Sequence, residues 1–301
     1  MTAALVVGRR RPGRPIARAV RDTATKLEEA GWTVETAVVK RKRAVRRRVQ
    51  EAVSAKVDVV VAVGGDGGVL QAIQCLPGTP VALGIIPMGT GNLLATNLGI
   101  PKHPDAAVQV ILAAHHREID LGRVAYGKKE RFFSVACGVG FDAKVMDATA
   151  MRQKQRFGKL AYLANALRHG GGIRDTRYRL LLDGKATTMD AAQILVANFG
   201  RTGLGLKPKL EISPDDGQLD VIAIRAHGPA DGLIALWEAM RQRRPGRSRS
   251  GRVLRTHAHT IEVQAASKRP VEIDGSVIGS TPIAVSIRPH ALRVLVPPPT
   301  A

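Results

Sequence analysis

The chain has 301 residues, which is enough for about two domains of ordinary size and a substantial buried core. Its 46 Lys and Arg residues outweigh 25 Asp and Glu residues, and the net charge of +21 favours nucleic acid, an anionic membrane or a phosphorylated ligand as partner. Aromatic residues are only 3% of the chain, which disfavours stacking on single-stranded nucleic acid, and the lack of any run of about 18 apolar residues predicts no membrane-spanning helix.

The N-terminal residues MTAALVVGRRRPGRP do not have the pattern of a secretory signal, because the apolar run is short and the arginines follow it. We therefore expect a cytoplasmic protein. Cys75 and Cys137 lie in apolar runs and are expected to be buried, reduced thiols, since disulfides are rare in the cytoplasm.

The first part of the chain alternates strand and helix patterns. Short apolar runs such as AALVV, TVETAVV, VDVVVAV and VALGIIP are separated by segments whose apolar residues recur at helical spacing. The run VDVVVAV is continuously apolar, as is typical of a strand covered on both faces. This alternation predicts an α/β domain over residues 1–121, with a parallel sheet and flanking helices.

From residue 122 the pattern changes to strands joined by Gly and Asp turns, of which LLLDGKA is a candidate hairpin. Helical spacing returns only over residues 142–168 and 229–241. Residues 122–288 are therefore predicted to form a mainly antiparallel, sandwich-like β domain. The closing segment 289–301 is expected to return to the first domain, and the basic segment 241–252 to be a mobile loop.

Two glycine-rich loops follow predicted strands of the first domain. The first is Gly64–Gly68, with Asp66 at its centre, and the second includes Pro87, Thr90 and Asn92. Ligands bind at the carboxyl ends of parallel strands, and glycines there let backbone N–H groups approach phosphate oxygens. The two loops together predict a phosphate-binding cleft in which Asp66 holds Mg²⁺ or orients the surrounding network.

The stretches VVAVGGDGG and LGIIPMGTGNLLATNLGIP resemble the catalytic domain of diacylglycerol kinases, a family that includes bacterial YegS-like lipid kinases and sphingosine kinases. The resemblance continues through FFSVACGVGFDAKV, ILVANFGRTGLGLKPKLEISPDDGQLDVIAI, VEIDGS and PIAVSIRPHALRVLVPP, in the family's order. It covers nearly the whole chain. The resemblance implies an N-terminal nucleotide-binding domain and a C-terminal β domain, with ATP and a lipid meeting in the cleft between them.

The resemblance also implies functional residues. A metal site carries over to Asp216 with backbone carbonyls of Ser213 and Gln218, although a β-turn explains Asp216 equally well. Lys40, after the second strand, falls near a further nucleotide contact of the family. The remaining expected ATP contacts are Gly64, Gly65, Asp66, Gly67, Gly68, Val69, Leu70, Thr90, Gly91 and Asn92.

Three positions depart from the family pattern. Arg9–Arg11 occupy a turn that reads Asn-Pro-x-Ser-Gly in the family, so they either replace polar phosphate contacts with charge or remain solvated. Gly68 replaces a threonine, which removes a hydroxyl and leaves the backbone N–H. Ser276 replaces the glutamate favoured as general base, and serine has no useful basicity near neutral pH. Asp274 and Glu272, expected on the same strand face, are the carboxylates left for that role.

The resemblance implies ATP- and Mg²⁺-dependent phosphorylation of a lipid hydroxyl, with diacylglycerol as the default acceptor. The alternative is a pseudokinase that binds nucleotide or anionic membrane without efficient transfer, which Gly68 and Ser276 favour. NAD kinase activity is a minor alternative, because the PMGTGN loop and the closing Asp-Gly pair match lipid kinases better.

The expected partners follow from the charge and the resemblance. The net charge of +21 and the basic segment 241–252 predict peripheral binding to an anionic membrane surface, where the lipid alcohol would be met. No recognition-helix motif is present, so nucleic acid is not expected. The sequence leaves a homodimer open.

Overall fold

The architecture is that of a computed structural model. It describes residues 2–140, 175–200, 212–242 and 244–299, so the helix expected over 142–168 lies outside the described residues. The chain divides into two compact units, one formed by Met1–Leu121 with Pro289–Ala301 and the other by Gly122–Arg288. Across the described ranges, no helix combines the length and apolar character needed to span a bilayer.

The first unit is a parallel sheet flanked by helices, as the alternating pattern predicts. The strand order is β2-β1-β3-β4-β17, and every neighbouring pair is parallel. Its elements are β1 (Ala3–Arg9), α1 (Ile16–Glu29), β2 (Thr33–Val39), α2 (Lys42–Ser54), β3 (Val59–Gly64), α3 (Asp66–Ile73), β4 (Ala82–Pro87), α4 (Leu93–Asn97), α5 (Pro104–Leu112) and the last part of β17 (Ile283–Leu295).

The core of this unit lies on both faces of the central strands. All six residues of β3 are buried, which explains why its sequence is continuously apolar. Helix α1 packs directly on β1, because a Cβ built at Gly8 would lie 2.6 Å from Ile16 Cγ2 and 2.8 Å from Val20 Cγ2. Because β1, β3 and β4 are parallel neighbours, their carboxyl ends lie at one edge of the sheet.

The second unit is antiparallel, as predicted. One sheet has the order β12-β13-β11-β10-β7-β15-β16, and further antiparallel pairs join β9 to β8, β8 to β14, β14 to β17, and β5 to β6. The elements are β5 (His116–Tyr126), β6 (Lys129–Phe133), β7 (Ala136–Val139), β8 (Thr176–Leu182), β9 (Lys185–Ala191), β10 (Gln193–Ala197), β11 (Leu219–Ile224), α6 (Pro229–Arg241), β12 (Gly246–Arg247), β13 (Val253–Ala258), β14 (Thr260–Ala265), β15 (Pro270–Ile273) and β16 (Ser276–Ser280).

The basic segment 241–252, predicted from its composition to be a mobile loop, contains a short strand in the part that the structure describes. Gly246 and Arg247 form the short strand β12, which pairs with β13. The Ser248 N–H donates to the Val253 carbonyl at 2.7 Å, so this part of the chain is a hairpin. The hairpin depends on hydrogen bonds to β13, which lies outside the segment, so the composition of the segment alone could not predict it.

Candidate active site

The two glycine loops are in backbone contact. They leave the ends of neighbouring strands, where Gly64 pairs with Pro87. A Cβ built at Gly65 would lie 2.7 Å from the Gly89 Cα, and one built at Gly89 would lie 2.5 Å from the Gly65 Cα. Both glycines are therefore required by the close approach of two backbones, and the loops lie side by side at the sheet edge.

Asp66 joins the first loop to the second. Its carboxylate accepts hydrogen bonds from the Asn92 N–H, at 2.9 Å, and from the Leu93 N–H. Asn92 has a φ of 49° and its side chain closes the second loop, with Oδ1 accepting from the Gly89 N–H at 2.8 Å and Nδ2 donating to the Gly89 carbonyl at 3.1 Å. Asp66 thus orients the loop network, while a contact to Mg²⁺ remains a prediction.

The backbone at the start of α3 is half-buried over residues 65–68. The Gly68 N–H donates to the Gly65 carbonyl at 2.8 Å, and no atom lies within 4 Å of a Cβ built at Gly68. The side chains of Val69 and Leu70 are buried in the core, so these two residues can offer a ligand only their backbone. Threonine, the family residue, would therefore fit at position 68 without displacing anything.

A cluster of cations surrounds the start of α3. A Cβ built at Gly67 would lie 3.8 Å from Arg11 Nη2 and 4.0 Å from Lys42 Cε. Partial burial, followed by the charges of Arg9 and Arg11, lowers the pKa of Lys42. Burial and then Arg11 lower the pKa of Arg9, whose Nε is buried and finds no hydrogen-bond partner in the described part of the chain.

The positive charges of these three side chains are not offset by ion pairs in the described part of the chain. Among the described residues, no carboxylate forms an ion pair with Arg9, Arg11 or Lys42. Mutual repulsion of unpaired cations favours the binding of an anion between them. Lys40, the predicted contact, is exposed just beyond β2. The sequence predicted Lys40 as the contact, whereas Lys42, the first residue of α2, is the lysine that lies beside α3.

Thr90 lies beside the same cluster. Its side chain is exposed, and its hydroxyl accepts a long hydrogen bond of 3.5 Å from Arg14 Nη2. A Cβ built at the neighbouring Gly91 would lie 2.7 Å from Asp66 Oδ2, so the second loop closes tightly on the Asp66 carboxylate. The predicted nucleotide contacts other than Lys40 are thus gathered in one place, at the ends of β3 and β4.

In the second unit, Asp274 is a buried hydrogen-bond acceptor. Oδ2 accepts from the N–H and the hydroxyl of Ser134, at 2.8 and 2.9 Å, and Oδ1 accepts from the N–H groups of Val135 and Ala136, at 2.9 and 3.0 Å. Burial raises the pKa of Asp274, and these hydrogen bonds limit the rise. The side chain fastens the start of β7 to the end of β15.

Glu272 has a different environment. Burial, followed by the charge of Asp274, raises its pKa, and its Oε2 is buried and has no hydrogen-bond partner in the described part of the chain. Strand β15 ends at Ile273 and Asp274 has a φ of 45°, so the expected strand alternation does not extend to Asp274. Ser276 begins β16 and is half-buried.

The predicted metal residues lie in a turn before β11. The Asp216 carboxylate accepts from the Gln218 N–H at 3.0 Å, and Ser213 Oγ donates to Asp215 Oδ1 at 2.5 Å. Gly217 has a φ of 72°, which accounts for glycine in the turn. The turn interpretation of Asp216 therefore describes its geometry, and a metal role for its carboxylate stays a prediction. No cluster of three or more His, Cys, Asp or Glu side chains suited to a metal occurs among the described residues.

An α/β domain with paired glycine loops, continued by an antiparallel β domain, defines a class of nucleotide-dependent kinases, and family models match both parts. Residues 3–124 match the diacylglycerol kinase catalytic domain, and residues 135–296 match the YegS C-terminal NAD kinase beta sandwich-like domain. The chain belongs to this family of lipid kinases, as its motifs predict.

Individual relatives agree with this assignment. A protein of Mycobacterium tuberculosis named "Diacylglycerol kinase" is 33% identical over 84% of this chain and 81% of its own length. A protein of Citrobacter koseri named "Probable lipid kinase YegS-like" is 27% identical over 93% of this chain and 91% of its own length. The crystal structure of a diacylglycerol kinase from Bacillus anthracis has the same fold, with a TM-score of 0.75, 19% identity and coverage of 99% of this chain and 97% of that chain.

The contact between the loops gives a direct prediction. Gly89→Ala is expected to lower the free energy of unfolding by about 1–3 kcal/mol and to weaken ATP binding, because the new methyl group forces the two backbones apart. Gly68→Ala is the matched control for stability, since a Cβ there meets no atom within 4 Å, whereas ATP binding is compared with the unmodified chain because Gly68 is itself a predicted ATP contact. Urea unfolding and the ATP-induced rise in Tm measure both effects. Equal losses in the two variants would contradict the packing argument.

Proposed function

We propose that this protein transfers the γ-phosphoryl group of ATP to the hydroxyl group of a lipid alcohol, with diacylglycerol as the first acceptor to test. The observation that carries the proposal is the pair of contacting glycine loops beside the unpaired cations Arg9, Arg11 and Lys42. Backbone N–H groups and cations are the groups that bind polyphosphates. Membership in a lipid-kinase family supplies the acceptor class.

The phosphates of ATP would lie against the start of α3. The Asp66 carboxylate holds the two loops together, which fixes the backbone N–H groups in advance of binding. Arg11 and Lys42 would stabilise the charge that spreads over the transferred group. Phosphoryl transfer depends mainly on such positioning and electrostatic stabilisation.

Glu272 is the proposed general base. Asp274 already accepts hydrogen bonds from Ser134, Val135 and Ala136 at both of its oxygens, so a proton transferred to it would disrupt the start of β7. Glu272 has an oxygen without a partner and a raised pKa. It would take the proton of the lipid hydroxyl as the oxygen attacks the γ-phosphorus and ADP leaves.

Mg²⁺ is the proposed metal. The family resemblance implies that the carboxylate of Asp216 and the backbone carbonyls of Ser213 and Gln218 would hold it, and such oxygen donors suit a hard cation. When bound, the metal neutralises charge on the phosphate oxygens during transfer. Asp66, in the first unit, is the alternative carboxylate that the glycine-loop pattern predicts for Mg²⁺.

The second candidate is a protein that binds nucleotide without efficient transfer. Two observations favour it: Ser276 occupies the position of the family base, and Gly68 lacks the family hydroxyl. The intact loop network around Asp66 supports nucleotide binding under both proposals, so measurement of transfer separates them.

The test combines nucleotide binding with phosphoryl transfer. The protein is incubated with γ-labelled ATP, Mg²⁺ and vesicles that contain either diacylglycerol or a sphingoid base, and the lipids are then extracted. We expect label in the lipid fraction and an ATP-induced rise in Tm. Asp66→Ala is expected to remove both, because the loops lose their shared carboxylate.

Asp22→Ala is the matched control for Asp66→Ala, since Asp22 is exposed and pairs only at the surface with Arg18. Its transfer and its Tm shift should equal those of the unmodified chain. A rise in Tm without label in any lipid would favour the second candidate. No rise in Tm at millimolar ATP, with folded protein, would reject nucleotide binding itself.

A further inference from the structure

Helix α6 exposes two large apolar side chains on one face. Ile234 is 49% exposed and Trp237 is 55% exposed, and only Val38 and Val277 are comparable among the described residues. Residues three apart lie on the same face of a helix. Arg241, one turn further on, places its guanidinium carbon 4.5 Å from the centroid of the Trp237 ring. The face therefore combines apolar surface with a cation.

This exposed face is not the side of α6 that packs on the protein. Ala235 and Ala239 lie on the opposite side, where they form a buried cluster with Ile222, Ile224 and Val253 of the sheet. Helix α6 therefore packs on the sheet through its alanine side, and Ile234 and Trp237 do not belong to the buried core.

The neighbouring hairpin, residues 244–252, neutralises the acidic side chains of α6. Arg252 Nε contacts Asp231 Oδ1 at 2.6 Å, and Arg252 Nη1 lies 3.9 Å from Glu238 Oε1. The hydroxyls of Ser248 and Ser250 both donate to Glu238 Oε2. The carboxylates of Asp231 and Glu238 thus both bind groups of the hairpin.

Four arginines lie at the last residue of α6 and on the adjoining hairpin. All are exposed, and none forms an ion pair with a carboxylate in the part of the chain that the structure describes; they are Arg241, Arg244, Arg247 and Arg249. Exposed cations of the helix end and of the adjoining hairpin thus lie in the same part of the chain as Ile234 and Trp237, and Arg241 contacts the Trp237 ring directly.

A buried ion pair holds the helix end and the hairpin together. Arg255 pairs with Asp220, and its Nη1 donates to the Gln242 carbonyl at 3.2 Å. Gln242 Nε2 in turn donates to the Gly246 carbonyl at 2.6 Å. The hairpin that carries three of these arginines is therefore held at the end of α6 by hydrogen bonds and by the pairing of β12 with β13.

We propose that Ile234, Trp237 and the four arginines form a docking surface for an anionic lipid bilayer. Tryptophan is favoured at membrane interfaces because its ring is apolar and its N–H is polar. Exposed arginines bind anionic headgroups, and an apolar helix face flanked by them is typical of interfacial binding. The inference rests on the proposed function only in that a lipid acceptor lies in a membrane.

Fluorescence tests this surface directly. The chain has two tryptophans, so Trp32→Phe leaves Trp237 as the single reporter. Vesicles of phosphatidylglycerol and phosphatidylcholine, without ATP, should shift its emission to shorter wavelength, and brominated lipid should quench it. Pure phosphatidylcholine should cause a much smaller change. Binding to anionic vesicles without any change in Trp237 emission would overturn the proposal, because another surface would then be docking.

Sedimentation with the same vesicles adds matched variants. The pair Ile234→Ser and Trp237→Ala, and separately Gln at all four arginines, should each weaken binding about tenfold or more, whereas Val277→Ser should not. Unchanged binding of both sets would overturn the proposal. A blue shift of Trp237 emission that depends on protein concentration without vesicles would also overturn the proposal, because a second copy of the chain would then occupy the surface. The same holds if the protein binds DNA as strongly as anionic vesicles and the same substitutions weaken both kinds of binding equally.

Transfer to two substrates separates this inference from the proposed function. The Ile234→Ser and Trp237→Ala pair should phosphorylate a water-soluble short-chain diacylglycerol at the unmodified rate, and vesicle diacylglycerol more slowly. Vesicle binding through Trp237 by a protein that transfers no phosphate would support the docking surface and reject the kinase. If the double variant and the unmodified chain phosphorylate vesicle diacylglycerol at equal rates, the docking surface does not help the protein to reach its lipid substrate.

Discussion

Asp274→Asn is expected to lower the free energy of unfolding by about 3 kcal/mol or more, since each buried donor left without an acceptor costs about 1–3 kcal/mol. The amide of asparagine would replace one carboxylate oxygen and so face N–H donors of Ser134, or of Val135 and Ala136. Asn tolerates the positive φ of this position, which isolates the loss of the acceptor from backbone strain.

Asp183→Asn is a closely matched control. Asp183 also precedes a glycine in a turn, with a φ of 46° against 45° for Asp274, and it accepts from the N–H groups of His259 and Thr260. The Asp183 side chain is 44% exposed, so water can replace the hydrogen-bond acceptor that the substitution removes. Urea unfolding should give a small loss here, within about 1 kcal/mol. Equal losses at the two positions would contradict the role assigned to burial.

Glu272→Gln is expected to lower kcat by about 10²-fold or more with little change in ATP affinity, because a general base contributes about 10²–10⁴-fold. Glutamine keeps the size of the side chain and cannot accept the proton. Stability should change little or rise slightly, since Oε2 has no partner to lose among the described residues and the raised pKa of Glu272 reflects a cost of burying its charge. Steady-state transfer assays and ATP-induced Tm shifts measure the two quantities.

The pH dependence gives a second measurement of the same group. A base acts only when deprotonated, so activity falls as pH drops through its pKa. Burial and then Asp274 raise the pKa of Glu272, which moves the acid limb of the kcat profile above the ordinary value for glutamate. That limb should disappear in Glu272→Gln. It should persist in Glu262→Gln, a control at an exposed position of β14.

Ser276→Glu completes the comparison by restoring the family base. If Glu272 carries the role, the unmodified chain is active and Ser276→Glu adds at most a modest gain. An inactive chain that Ser276→Glu makes active would identify a lapsed kinase. Full activity of Glu272→Gln would refute the assignment of the base to Glu272 and make Asp274 the candidate. In that case Asp274→Asn should lose turnover under conditions in which urea unfolding shows that this variant is still folded.

Local patterns in the sequence were sufficient for the fold class. The continuous apolar run of β3 and the helical spacing after β1 predicted a parallel sheet with helices on both faces, and Gly and Asp turns predicted the antiparallel second unit. Within the two glycine-rich loops, Gly65 and Gly89 marked the place where two backbones approach closely. Such signals are readable because the constraint acts on the residue itself or on neighbours within one turn.

The tertiary structure decided which side chains meet. Asp274 finds its donors 138 to 140 residues away in the chain, and Asp66 finds Asn92 at a separation of 26. Lys42 instead of Lys40 lies beside α3 because α2 begins there and turns its first residue toward the loop. Composition favoured a mobile loop at 241–252, but hydrogen bonds to α6 and β13 made it a hairpin. Partners distant in sequence leave no local pattern, since their pairing energy exists only once the chain is folded.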